Sequence, residues 1–78
     1  KGRDNLIPLI GESYVYTGKD NECHKNGHTY YVIETGQHWN KEYGSGIWMT
    51  TEEYPNTTDI DYGCFWGIGS FKKNFRKY

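Results

Sequence analysis

Apolar and polar residues alternate with a period of two in several short runs, and glycines stand at the corners between them. Ser13–Thr17 (Ser-Tyr-Val-Tyr-Thr) sets Val15 on one face and Tyr14 and Tyr16 on the other, the spacing of a strand. Thr29–Glu34 (Thr-Tyr-Tyr-Val-Ile-Glu) is rich in β-branched and aromatic residues and predicts a second strand. Gly18 opens the polar loop between them, and Asn26-Gly27 is a strong turn pair near its end. Ile47–Thr51 predicts a third strand, entered through Gly44-Ser-Gly46. Tyr62–Trp66 predicts a fourth, Gly67–Ser70 a tight reversal, and Phe71–Phe75 a fifth strand with both phenylalanines on one face. Leu6–Ile10 reads as an edge strand or an extended lead-in, because Pro8 cannot donate to a central ladder. No ten-residue segment has the periodicity of an amphipathic helix. Five short strands at roughly ten-residue spacing predict an all-β fold, a small barrel or sandwich forming one domain over residues 1–78.

Composition changes the picture of the core. The chain has 78 residues, near the lower limit for independent stability, and holds only two leucines and two valines. Eight tyrosines, three tryptophans and three phenylalanines must therefore supply most of the interior, and some of the tyrosines must face solvent. Val15, Val32, Ile47 and Phe65, with Tyr30 beside them, are the expected core.

Gly11-x-x-x-Val15-x-x-Gly18, the polar loop, and Gly27-x-x-Tyr30-x-Val32-Ile33 together resemble the opening hairpin of SH3-like barrels, and Gly46-Ile-Trp48 is similar to their third strand. The resemblance covers residues 11–50 and implies a five-stranded SH3-like barrel. The Ala-Leu-Tyr-Asp-Tyr signature of signalling SH3 domains is missing, so polyproline recognition is not expected. The small, Tyr/Asn/Lys-rich composition also resembles proteins of phages of low-GC bacteria.

Charge divides the chain. Residues 1–70 hold ten acidic and five basic side chains, whereas Phe71–Tyr78 holds four bases and no acid. One candidate surface is the acidic run from Glu52 to Asp61. Glu52, Glu53, Asp59 and Asp61 lie there with Tyr54, flanked by Trp48 and Trp66, and acids around aromatics suit a protein partner with a basic surface. The alternative is a nucleic-acid interface on the tail, where Phe71, Phe75 and Tyr78 interleave with Lys72, Lys73, Arg76 and Lys77, aromatics to stack bases and cations to neutralise phosphates. The acidic body opposes that reading by repelling a phosphate backbone.

Other chemistry is weakly indicated. Cys23, His24 and His28, with His38 and Cys64 at a distance, offer metal-ligating types but no closely paired cysteines, so no metal and no cofactor are expected. Adjacent Cys23 and His24 do not make a catalytic dyad, and no phosphate-cradling glycine loop is present; the chain is not expected to be an enzyme. A single Cys23–Cys64 disulfide would suit a secreted small domain, but Cys23 in a polar loop and Cys64 in an apolar run are not a matched pair, and free thiols in a cytoplasmic protein are the preferred expectation. No apolar stretch approaches the roughly 18 residues needed to span a bilayer, so no membrane partner is expected.

Overall fold

The computed structural model describes residues 8–78; the expectation for Leu6 and Ile7 lies outside them. Five strands form one antiparallel sheet: β1 (Ser13–Tyr16), β2 (Thr29–Gln37), β3 (Ser45–Met49), β4 (Cys64–Gly67) and β5 (Phe75–Lys77). Among the described residues there is one short α-helix, α1 (Ile68–Asn74), and it joins β4 to β5. The spatial order is β4-β3-β2-β1-β5, so the chain meanders from β1 to β4 and α1 carries it back beside β1. The sheet has two edges, β4 and β5, and is not closed by a ladder between them.

The opening hairpin is held beyond the strands by bonds from Gly11 N–H to the Val32 carbonyl (2.8 Å) and from Val32 N–H to the Glu12 carbonyl (3.0 Å). Gly11 and Gly27 take φ of +91° and +88°, the left-handed region that suits residues without a Cβ. Gly46 answers a different need. A Cβ there would press on the Trp66 carbonyl oxygen and the Phe65 ring across the β3–β4 pair, so only glycine lets the two strands close.

Tyr16, Tyr30, Val32, Ile47, Met49, Phe71 and Phe75 form the core, with Tyr14, Trp66 and Ile68 packed against it. Phe71 stacks on Phe75 at 4.8 Å, and Phe75 meets Tyr16 at 5.2 Å and Trp66 at 5.3 Å. Each such ring contributes roughly 1.5–3 kcal/mol by leaving water, and each favourable ring pair about 0.5–1.5 kcal/mol more. Val32, Ile47 and Tyr30 are buried as expected.

Three expectations are corrected. On β1 the faces are reversed: Tyr16 is buried and Tyr14 packs on Phe71, while Val15 is half-buried between Thr29 and Arg76. With so few aliphatic side chains, the larger apolar area of tyrosine decides which face turns inward. Phe65 is likewise absent from the main core and pairs with Trp48 on the opposite face of β3–β4. The third correction concerns the end of the chain. Gly67–Ser70 is not a reversal and Phe71–Phe75 is not a strand; Ile68–Asn74 is helical and only Phe75–Lys77 is extended. Phe71 and Phe75 are four apart, a spacing that shares a face in a helix as well as in a strand. Lys72 and Lys73 near the helix C-terminus complement its dipole.

The remaining strands match their expected runs with shifted ends. β2 continues to Gln37 through an irregularity between Val32 and Glu34 that buries Val32 and Ile33 in succession. β4 begins at Cys64 because Ile60–Tyr62 is a 3-10 turn, whose start is capped by the Asp59 carboxylate accepting from the Asp61 N–H at 2.9 Å.

Candidate functional site

The residues 50–63 loop gathers part of the acidic, aromatic surface. Tyr54 and Tyr62 lie ring to ring at 4.8 Å, both substantially exposed. They border a shallow depression of about 220 Å3 whose walls include Glu22, Cys23, Glu53 and Asp61. Glu22 comes from the loop between β1 and β2, brought across by a bond from Glu52 N–H to the Cys23 carbonyl (3.0 Å) and by the Cys23–Cys64 disulfide. Thr51 Oγ1 accepts from the Tyr54 N–H at 3.1 Å and fixes the turn that presents the ring.

The other members of that predicted set lie elsewhere. Trp48 is buried against Phe65 and His38. Trp66 packs on the core, its indole N–H donating to His24 Nδ1 at 3.2 Å. Asp59 is exposed and occupied in capping. Glu52 is partly exposed but internally bound: Oε2 accepts from the Tyr30 hydroxyl at 2.7 Å and meets His28 Nδ1 at 2.6 Å. Those partners, Tyr30 first, lower its carboxyl below the usual carboxylate value. Burial, aided by the Glu52 charge, pushes the Tyr30 phenol up to about 12.

His24 is the residue that sequence reasoning placed least well. It sits within a polar stretch yet is wholly buried. Tyr16, Tyr30, Trp66 and Phe75 surround its ring, Tyr30 at 4.4 Å. Because the Trp66 N–H donates to Nδ1, the ring proton belongs on Nε2, which donates to the Thr50 carbonyl at 2.8 Å. Both nitrogens are satisfied. Burial lowers the imidazole below the ordinary histidine value.

Cys23 and Cys64 are joined, so the expectation of free thiols is corrected, and the argument for a cytoplasmic location that rested on it falls away. The loop folds back over the sheet and lays Cys23 beside the first residue of β4, a proximity that 41 residues of separation conceal. Bridged sulfurs are not thiolate ligands, and the two committed nitrogens of His24 leave it no lone pair for a metal. Among the described residues, no three His, Cys, Asp or Glu side chains converge to hold a metal ion, and no helix is long and apolar enough to cross a membrane.

The basic tail is divided between core and surface. Phe71 and Phe75 are buried. Lys77 Nζ pairs with Glu12 at 3.0 Å and lies 5.3 Å from the centre of the Tyr14 ring. The Glu12 carboxyl is held below its usual value, first by the Leu9 N–H and then by Lys77. Lys72, Lys73, Arg76 and Tyr78 are exposed.

A second aromatic group lies on the far face of β3–β4. Trp39, Tyr43 and Phe65 surround His38 at 4.5, 4.7 and 4.5 Å, with Trp48 stacked behind at 5.7 Å. The 3-10 turn Lys41–Tyr43, capped by Asn40, brings Tyr43 back over the end of β2. Compared with known proteins, the chain matches no family model, no curated protein and no solved structure.

Proposed function

We infer that this chain is a non-enzymatic protein-binding module, an SH3-like barrel that docks a partner with a basic surface. Support for the fold part of this reading is the five-stranded antiparallel meander whose last strand returns beside β1. The observation that carries the functional reading is the exposed Tyr54–Tyr62 ring pair beside Glu22, Glu53 and Asp61. Aromatic rings held by a turn anchor a partner at little entropic cost, and acids at the rim raise the rate of encounter with a basic surface. Glu53 and Asp61 replace Glu52 as the steering charges, since Glu52 is engaged by Tyr30 and His28. The phage-like composition makes a host protein the candidate partner, and the disulfide favours oxidising surroundings over the cytoplasm.

The test is an affinity capture from host lysate with wild-type and Tyr54→Ala baits, each with and without nuclease. A protein retained after nuclease and bound more weakly by Tyr54→Ala, at a cost of about 1–3 kcal/mol, supports the reading. Equal retention by both baits moves the interface to another face, and nuclease-sensitive capture favours the nucleic-acid alternative through Lys72, Lys73 and Arg76.

A further inference from the structure

The His38 group has the features of a second binding site, separate from the acidic face. His38, Tyr43, Phe65 and Gly67 line an open surface depression of about 300 Å3. His38 is only 7% exposed. The Asn40 N–H donates to its Nδ1 at 2.8 Å, which leaves the ring hydrogen on Nε2. Nε2 has no protein partner among the described residues and can donate to an oxygen from outside the chain. Around this donor stand aromatic faces that the fold leaves open: Trp39 is 79% exposed and Tyr43 57%.

We propose that this depression, together with the Trp39 ring that adjoins His38 beside it, binds a neutral sugar ring, its C–H face laid on Trp39 or Tyr43 and a ring or hydroxyl oxygen accepting from His38 Nε2. A pyranose combines an apolar face with acceptor oxygens at its edge, the complement of flat aromatic rings beside an imidazole donor. The walls of the depression carry no Lys, Arg, Asp or Glu, and Lys41 and Glu42 on the adjacent turn oppose each other, so neither a phosphate nor a carboxylate is favoured.

The probes are glucose, galactose, mannose, N-acetylglucosamine and their linear trisaccharides, titrated by calorimetry and tryptophan fluorescence. At least one is expected to bind saturably and to lose tenfold or more in affinity in Trp39→Ala, whose exposed side chain is removable without unfolding the domain. In the wild type, nitrogen-detected NMR should show the His38 Nε2 resonance moving on saturation, a readout that does not depend on a His38 variant folding. Absence of binding across the panel overturns the proposal. So does binding that Trp39→Ala leaves intact, an unmoved Nε2 resonance, or displacement of the sugar by a proline-rich peptide that binds the same rings more tightly.

Discussion

Two histidines sit at the centres of two aromatic groups on opposite faces of the β3–β4 pair, and the fold treats them differently. His24 lies among Tyr16, Tyr30, Trp66 and Phe75; His38 lies among Trp39, Tyr43, Trp48 and Phe65. A loop asparagine fixes each one, Asn21 Oδ1 accepting from the backbone N–H of His24 and the Asn40 N–H donating to the His38 ring. Around His24, however, every ring is drawn into the core and both nitrogens are bonded within the protein. Around His38, one nitrogen is bonded and two rings face solvent. Similar residue types thus give a closed polar centre that specifies the core and an open one that offers contacts outward. Hydrogen-bond accounting separates the two more sharply than composition does.

The most forceful way to break the closed centre is to release its loop. The Cys23–Cys64 bridge closes 41 residues and ties the residue next to His24 to β4. In the chain-entropy account, opening a loop of that length costs about 4 kcal/mol, a large share of the stability of a small domain. Reduction, or paired Cys23→Ser and Cys64→Ser substitutions, should lower the urea midpoint accordingly and raise the protection loss around His24 before that around His38. Unchanged midpoints with and without reductant would show that the bridge contributes nothing to the folded state.

Next in size is a direct exchange of the two histidines. His24→Phe keeps an aromatic ring but leaves the Thr50 carbonyl and the Trp66 N–H without their buried partner, a cost of about 3 kcal/mol. His38→Phe strands only the Asn40 N–H at a loop, where water can replace the ring, and should cost about 1 kcal/mol. For a domain of this size the difference amounts to roughly 10 °C in Tm. Equal melting temperatures for the two variants would refute the distinction between closed and open centres.

That distinction was hidden in the sequence for a physical reason, and so were the corrected elements. Alternation reports which residues share a strand face, and it located β1 through β4 because their runs are bounded by glycines and polar turns. It does not report which face turns inward when tyrosine competes with valine, as Tyr16 and Val15 do. The pair Phe71 and Phe75 satisfies two periods at once, so α1 was read as extended. His24 and Cys23 sit in a stretch whose polarity predicts a solvated loop, and only the return of that loop over β4 buries one and bridges the other. On the acidic face, Tyr54, Glu53 and Asp61 were legible as a group because they share one loop. Glu22 was not, since in sequence it lies 31 residues or more from each of them.

Acidity sharpens the comparison at smaller amplitude. Burial holds the His24 imidazole below its ordinary value of about 6.5, whereas in the unfolded chain it titrates near that value. Between the two values the unfolded chain binds more protons. The contribution of His24 is therefore complete above about pH 6.5 and declines as pH falls, by at most about 1.4 kcal/mol per pH unit. Tyr16 and Tyr30 face the ring from β1 and β2, and the Glu52 charge opposes the shift. Glu12 and Glu52, whose folded values are depressed, act lower on the scale: their contributions persist above about pH 4.5 and are lost as pH falls through those values. Urea midpoints at pH 7.5 and 5.5 should differ in the wild type and less so in His24→Phe. The same slope in both proteins would mean that other groups carry it.

The smallest expected effect on stability is at the open centre. Trp39 is the most exposed tryptophan, and its ring touches His38 from the solvent side without joining the core cluster. Surface substitutions away from caps, networks and packed interiors usually change stability by about 0.5 kcal/mol or less, so Trp39→Ala should melt within a few degrees of the wild type. Trp66→Ala, by contrast, removes a ring packed on Tyr16 and Phe75 together with the donor that sets the His24 tautomer, and should melt far lower. Retaining a large exposed indole that contributes so little to folding makes sense where its face is used by something outside the chain. Were Trp39→Ala to destabilise the domain as much as Trp66→Ala, the His38 group would be a second core, and the contrast between the two faces would disappear.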